Sequence, residues 1–336
     1  MSLLSENAHP QPTLIQSLQA SVAPAFALHA GVSLGVFTVL ADDALSAEDV
    51  ARSLDVETGR VERLLYALVA TGLLEIRDGG FRNSDEAAAY LVRGKPGYLG
   101  DEHEVLDKIW HADLLTATSI RQRQPAARHD FSSADPDSSR EFFRGLAPIA
   151  LTFGRRLAGM IDLGDVNSAI DIGGGPGFAL IGLREAKPGL KLTLLELAAS
   201  IDLAKELLAN EPLADGMDFE IGDIVEAPSA TTHDLAILKA VIQVLSPREA
   251  AAAIRNVHAS LNSGGRLFIS GVGILNDDRL SPMEAVFYNL TFMNIYSDGA
   301  SYTRSEYSHW LSEAGFGDIT FGTMPNGSPL ISARKR

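Results

Sequence analysis

The residues best suited to chemistry follow short β-branched or apolar runs in the second half of the chain. The run NSAIDI leads into Asp171-Ile172-Gly173-Gly174-Gly175-Pro176-Gly177. Glycines let a chain turn sharply from strand to helix and let a ligand approach the backbone. The spacing Gly173-x-Gly175-x-Gly177 departs from the G-x-G-x-x-G of dinucleotide sites, an acid lies two residues before the first glycine, and Pro176 stiffens the turn. A tight turn beside an acid suits a cationic, amino-acid-bearing ligand better than a pyrophosphate. The run KLTLLE ends at Glu196-Leu197, 21 residues beyond Gly175, where a carboxylate can accept both hydroxyls of a ribose. MDFEI leads into Gly222-Asp223-Ile224, a carboxylate and an apolar neighbour fit for the edge and face of an adenine, and DLAILK ends at Lys239. Each signal alone is weak; four in register on consecutive runs are strong.

The elements that must position these residues follow from pattern. NSAIDI, KLTLLE, MDFEIG, DLAILK and RLFISG alternate with the helical stretches FALIGLREA, IDLAKELLAN and REAAAAIRNVHASL. Such alternation predicts an α/β, Rossmann-like doubly wound domain, a parallel sheet covered on both faces, with ligands outside the carboxyl ends of the strands. The first half, to about residue 125, reads as helical. Ser46-Ala47-Glu48-Asp49 is a helix start. GRVERLLYALVATG carries Val61, Leu64, Leu65, Leu68 and Val69 on one stripe closed by Gly72, and Asp78-Gly79-Gly80 marks a hairpin in LLEIRDGGFRNS. Helix, turn, helix and hairpin make a winged helix. The expected organisation is a flexible N-terminus (1–20), a mostly α winged-helix-like domain (21–125), a polar linker and bridging helix (126–160) and the ligand-binding domain (161–336).

Composition narrows the function. The 336 residues carry 28 Lys and Arg against 43 Asp and Glu, a net charge of −15. A surface this acidic repels phosphate backbones and anionic lipid, and acids intersperse Arg52, Arg60 and Arg63, so the winged helix is expected to pack rather than to read DNA. There is no cysteine, which removes disulfides, thiolate zinc sites and cysteine nucleophiles, and no His–carboxylate grouping reads as a metal site. Residues 23–40 are mostly apolar, but His29, Ser33, Thr38 and two glycines, followed by Asp42-Asp43, predict a helix in a core or subunit interface rather than a membrane span. No basic n-region precedes an apolar core at the start, so a cytoplasmic protein is expected.

From about Ala23 to the end, DIGGGPG, Glu196, the Gly222-Asp223-Ile224 triplet, LNSGGRLFIS and AGFGDI carry a resemblance. The chain resembles the S-adenosylmethionine-dependent small-molecule O-methyltransferases of caffeate, hydroxyneurosporene and acetylserotonin type. The resemblance implies a homodimer whose N-terminal domain dimerises and closes one side of the substrate pocket. It implies that S-adenosylmethionine is the cofactor, with Asp171, Gly173 and Gly175 against its methionine part and Glu196 on ribose, Leu197 beside it. Gly222, Asp223 and Ile224 then hold adenine, and Lys239 lies nearby.

The resemblance fails where a base is needed. O-methylating members place a histidine four residues after the position of Lys239; here Ile242-Gln243-Val244-Leu245 puts glutamine there, and an amide cannot take a proton at any useful pH. The two acids that orient that histidine fall at Gly271 and near Ser301. A phenol with pKa about 10 needs a base, whereas a thioether, neutral amine, carboxylate or acidic hydroxyl does not. Base-free transfer with Gln243 as a positioner is therefore the leading expectation. A replacement base is the alternative: His103 and His111 sit on one helix, about 80° apart in azimuth, with His111 beside Trp110 the better pocket candidate. His29 at the dimer seam is a third. Two further alternatives are a non-methylating relative, such as a cyclase or hydroxylase, and a DNA-binding regulator. Trp110, Phe143, Phe292 and Tyr296 are the candidate acceptor contacts, with Tyr288 on the same late helix and Asn289 and Asn294 as polar handles.

Overall fold

The computed structural model describes residues 11–95, 98–100, 102–128 and 136–336. Residues 1–10 of the N-terminal segment and 129–135 of the polar linker lie outside the described residues. The chain divides into two compact units, residues 1–104 and 105–336.

The first unit contains α1 (Thr13–Ala20), α2 (Val22–Leu34), α3 (Val36–Val39), α4 (Ala47–Leu54), α5 (Thr58–Ala70), β1 (Leu74–Arg77), β2 (Gly80–Asn83) and α6 (Asp85–Tyr90). Residues 13–20, expected as part of a flexible segment, are thus helical. The Ser46 hydroxyl accepts the Asp49 N–H at 3.2 Å, and Glu48 and Asp49 sit in the first turn of α4, where the helix dipole favours acids. Asp78 and Gly79, both left-handed, close the β1–β2 hairpin. The buried Asn83 amide donates to the carbonyls of Phe37 (2.8 Å) and Leu40 (2.9 Å), tying the end of α3 to the hairpin. Val36, Phe37, Leu40, Val50, Leu65 and Leu68 form the core around it. The apolar 23–40 stretch is broken at left-handed Gly35, and Leu14, Ile15, Leu18, Val22 and Phe26 remain exposed on α1 and α2. No helix among the described residues is long and apolar enough to cross a membrane.

After α7 (Glu102–Asp113), the second unit continues with α8 (Thr116–Gln122), α9 (Pro136–Met160), β3 (Ser168–Ile172), α10 (Phe178–Ala186), β4 (Lys191–Glu196), α11 (Ala198–Leu208), β5 (Asp218–Ile221), β6 (His233–Lys239), α12 (Pro247–Ala259), β7 (Leu261–Ser270), β8 (Ile274–Leu275), α13 (Met283–Ile295), β9 (Tyr302–Thr303), α14 (Arg304–Glu313), β10 (Phe316–Thr323) and β11 (Pro329–Lys335). Seven strands form one sheet in the order β10-β11-β7-β6-β3-β4-β5, with β3 to β7 parallel and the β10–β11 hairpin joined antiparallel to β7. This is the α/β, Rossmann-like arrangement expected. Strand order reverses around β3, so the carboxyl ends of β3, β4 and β6 open onto the crevice where such folds bind ligands.

Alternation along the strands feeds two cores. Ala169, Leu192, Leu194 and Leu235 face one, while Ile170, Ile172, Leu195 and Ala236 face the other. Asp171 has the parity of Ala169, so strand geometry itself drives a carboxyl toward an apolar layer. On that side α9 and α10 touch backbone to backbone: a Cβ at Gly154 would lie 2.1 Å from the Ala179 carbonyl oxygen, and one at Gly182 2.5 Å from the Arg155 nitrogen. This contact fixes the side chains of α9 against the Gly173–Gly177 loop that opens α10.

The opposite end of the sheet is stitched by Asp234. Its Oδ2 accepts the N–H groups of Asn167 (2.8 Å) and Ser168 (3.1 Å), and its Oδ1 accepts the Asn262 amide at 2.7 Å. Partial burial pushes this carboxyl up, but these donors outweigh that and hold it below the usual range. The stitch joins the starts of β3, β6 and β7.

Candidate active site

The glycine loop is shaped by the carboxyl it encloses. Asp171 is 1 % exposed, and a Cβ at Gly174 would lie 2.2 Å from its Oδ2. Its Oδ1 is buried without a hydrogen-bond partner. Burial pushes the Asp171 carboxyl up to about 7; the positive charge of Lys239 opposes this and the Glu196 carboxylate adds to it. A buried, unsatisfied carboxyl oxygen beside a loop with no room for a methyl group fits an incoming ammonium group, which would supply the missing donor and charge. Gly173 and Gly175 both take left-handed φ, and the Gly173 N–H donates to the Leu195 carbonyl at 2.8 Å.

Glu196, at the end of β4, is locked across the crevice. Its Oε1 accepts the Gly175 N–H and its Oε2 the Leu197 N–H, each at 2.9 Å. Burial raises its pKa against these donors and the Ser200 hydroxyl. Its two oxygens offer about four acceptor sites in all, so beside these three donors the carboxylate still has room for a ribose hydroxyl. Leu197 is exposed beside it. The Gly222 N–H donates to the Glu196 carbonyl at 3.1 Å, which places the third signal next to the second. Asp223 accepts the Val225 N–H at 2.8 Å, and Ile224 is 5 % exposed in the core. Asn256 of α12 donates to the carbonyls of Ile224 (2.8 Å) and Val225 (3.1 Å) and so holds this loop. Sequence reasoning missed Asn256, because nothing marks which interior helical amide will face a loop 32 residues back. Lys239 ends β6 with its Nζ 5.9 Å from the centre of the Phe153 ring. Phe143, expected at the acceptor, lies 4.0 Å from the Cβ position of Gly175, beside the cofactor loop.

Beyond Lys239 the chain leaves the sheet through Ala240, whose φ of 59° is left-handed, and enters a single 3₁₀ turn, Ile242–Val244. That turn presents Gln243, 8 % exposed. Among the described residues its amide makes no hydrogen bond. A left-handed alanine costs about 1 kcal/mol or more and persists where its surroundings enforce it. Ala240→Gly is expected to raise stability by about 1 kcal/mol, read as a higher denaturation midpoint at unchanged m value.

The three positions of the expected base apparatus do meet in space. β8 and β9 pair in parallel, and the Tyr302 N–H donates to the Gly273 carbonyl at 2.9 Å, which brings residues 271–275 beside Ser301. A Cβ at Gly271 would be 2.5 Å from Gln243 Oε1, and one at Gly273 would be 3.4 Å from the Ser301 hydroxyl. Ser301 is committed elsewhere: its hydroxyl donates to the Ala285 carbonyl and its N–H to Asn289 Oδ1. Asn289 is thereby occupied. Asn294 is fully buried, its amide nitrogen donating to Asp113 and Thr116 while its Oδ1 has no hydrogen-bond partner among the described residues. The resemblance placed both on α13 but could not say that Asp113, Thr116 and Ser301 would bond to them.

Tyr288, Phe292 and Tyr296 stack along α13 with ring centres 5.9 and 5.8 Å apart. Phe292 approaches the Gly273 Cβ position to 2.9 Å. Burial pushes the Tyr296 hydroxyl up to about 12, which leaves it no part as a base near neutrality. His111 does not meet this cluster: its side chain is 74 % exposed, its Nδ1 lies 2.8 Å from the Asp107 carbonyl of its own helix, and no described hydrogen bond or ring contact joins it to Gln243. This corrects the preference for His111 over His103, since the azimuthal offset put His111 on the wet face. His103 is the buried one, 6.0 Å from His29 by ring centres, and burial and His29 together lower its pKa. Trp110 is half-buried on α7.

Comparison with known proteins now decides the class. Residues 124–317 match the model of the O-methyltransferase domain, and residues 16–93 match that of the O-methyltransferase dimerisation domain. The chain belongs to the O-methyltransferase family. This methyltransferase is 30 % identical over 315 residues to a 3-hydroxy-5-methyl-1-naphthoate 3-O-methyltransferase of Streptomyces sahachiroi, covering 92 % of this chain and 90 % of that one. It is 29 % identical to the N,N-dimethyltransferase OxyT of Streptomyces rimosus, covering 91 % of each. Its fold matches that of human N-acetylserotonin methyltransferase, solved in complex with S-adenosylmethionine, with a TM-score of 0.83, 22 % identity and 99 % of both chains covered. The methyltransferase uses S-adenosylmethionine and belongs to the class acting on small molecules. The orphaned Asp171 oxygen, the Gly174 cradle and the Glu196 carboxylate fit that cofactor.

Proposed function

We propose that this methyltransferase acts on an acceptor atom that reaches the site with its lone pair already available: an amine nitrogen, a thioether sulfur, a carboxylate or an acidified hydroxyl. The observation that carries this reading is the uncommitted Gln243 amide, which faces Gly271 where a base and an orienting acid would be needed. When bound, S-adenosylmethionine supplies an electrophilic methyl group on a sulfonium sulfur. Asp171 and the backbone of the glycine loop then hold the amino-acid end, Glu196 the ribose, and Asp223 the adenine edge. Gln243 orients the acceptor by hydrogen bonding and removes no proton. Phe292 and Tyr296 form an apolar aromatic wall beside it, suited to a flat, partly hydrophobic acceptor. The relatives support this range: one is named for a hydroxynaphthoate oxygen, the other for dimethylation at nitrogen. The chain acts as a homodimer in this reading, supported by the dimerisation-domain match and by the exposed Leu14, Ile15, Leu18, Val22 and Phe26.

The test is transfer of labelled methyl to a panel of amines, thioethers, carboxylates, acidic hydroxyls and ordinary phenols from about pH 6 to 9, a range bracketing histidine and amine titration. Rates are expected to follow the protonation of the acceptor alone, with unactivated phenols slower by roughly 10²–10⁴-fold, the usual worth of a general base. Efficient transfer to ordinary phenols, with an enzyme titration near the histidine range, would overturn the base-free reading.

A further inference from the structure

Three glycines pack against Gln243, two on its side chain and one on its main chain. A Cβ at Gly271 would sit 2.5 Å from its Oε1, one at Gly273 would sit 3.1 Å from its Cβ, and one at Gly299 would sit 2.6 Å from its carbonyl oxygen. None of the three has a left-handed φ, so backbone conformation does not require glycine at these positions. What excludes a side chain is occupied space: the Gln243 amide oxygen at Gly271, Phe292 (2.9 Å) and the Gln243 Cβ at Gly273, and the Gln243 main chain with Tyr296 (2.9 Å) at Gly299. Gly271 and Gly273 lie in the short turn between β7 and β8, and both Cβ positions meet the Gln243 side chain. The segment is itself held against Ser301 by the β8–β9 pairing, so it cannot retreat freely.

We propose that Gly271 and Gly273 are positioning residues that keep the Gln243 side chain turned into the space beside β7 and leave the room above it to the acceptor. This rests on the reading that Gln243 faces the acceptor. In this arrangement the cage, and not Gln243 alone, sets acceptor selectivity. Any side chain at 271 pushes the amide outward into the volume the acceptor needs, by at least about half an ångström, since Cβ atoms do not pack closer than about 3.0 Å. Displacements approaching 1 Å at a positioned group cost on the order of 10²-fold in rate.

Gly271→Ala is the discriminating variant, because the atom it meets is the far end of a flexible side chain and the fold can absorb the change. In protein labelled with ¹⁵N-glutamine, the Gln243 side-chain amide resonance, assigned by its loss in Gln243→Ala, is expected to move in Gly271→Ala. In the best acceptor found above, kcat/KM for the acceptor is expected to fall roughly 10- to 100-fold with the cofactor KM unchanged. A Gln243→Ala background has no amide to displace, so the two losses are expected to be strongly non-additive. An unmoved resonance, or losses that multiply independently, would overturn the proposal. If the wild-type enzyme transfers methyl to no base-free acceptor, the functional reading fails and the resonance alone decides whether the cage holds Gln243.

Discussion

Gly174→Ala is expected to weaken binding of S-adenosylhomocysteine, the demethylated product, by more than about 100-fold while the circular dichroism spectrum stays unchanged. The new methyl group would fall 2.2 Å from Asp171 Oδ2 and 2.3 Å from its Cγ. Unlike the tip of a surface side chain, this carboxyl has nowhere to swing, because it is 1 % exposed beneath the loop. The loop itself must open. That takes the Gly175 N–H from Glu196 and separates the two contacts that together frame the amino-acid and ribose ends of the cofactor. Misplacing both is worth several kcal/mol in any site that works by preorganisation. Isothermal calorimetry measures the effect directly. Adding Asp171→Ala to Gly174→Ala relieves the clash and is expected to recover thermal stability without recovering affinity. Affinity within about threefold of wild type in the single variant would show that the packing of this carboxyl does not build the site.

Cofactor binding is also expected to release a proton near neutral pH. In the free protein, burial holds Asp171 near 7, so the carboxyl is partly protonated. A cation placed at its partnerless Oδ1 favours the ionised form, lowers the pKa and expels the proton. Affinity should therefore be flat above about pH 8 and fall by up to about tenfold per unit below 7. Calorimetry in two buffers of different ionisation enthalpy counts the released proton, and Asp171→Asn should abolish the difference between buffers. Identical heats in both buffers at pH 6.5 would contradict the linkage. The same group acts on folding with the opposite sign to an ordinary carboxylate. Its folded pKa lies above its unfolded value, so its contribution to stability is complete below about pH 4 and is lost as pH rises through 7.

The parts of this site that were legible in the sequence are those made by one element and the turn after it. DIGGGPG, Glu196, Gly222-Asp223 and Lys239 are strand ends, and strand ends in a doubly wound sheet converge whatever the details of packing. Helix starts were legible for the same local reason, as at Ser46. What was not legible depends on which face of an element meets which neighbour. Periodicity put His103 and His111 on adjacent faces of one helix but was silent on which was wet. The resemblance put Asn289 and Asn294 on α13, yet Asn289 Oδ1 accepts from Ser301 and the Asn294 amide nitrogen donates to Asp113 and Thr116, these two more than 170 residues away in the chain. Phe143 was expected at the acceptor, and the glycine contact of α9 with α10 sets it beside Gly175. Gly271 read only as a missing acid. That it marks occupied space needed the position of Gln243.

The two ends of the parallel sheet carry opposite kinds of commitment. At one, Asp234 cross-ties the beginnings of β3, β6 and β7 through backbone and side-chain donors. At the other, strands run out into an unsatisfied carboxyl oxygen and an uncommitted amide. Redesign is therefore a one-ended problem. Turns such as 240–245 or 271–275 can be exchanged for those of relatives with other acceptors while strand register is held from below, and the same transplant attempted around residue 234 would loosen three strands at once. A library built to retarget this scaffold belongs wholly at the carboxyl edge.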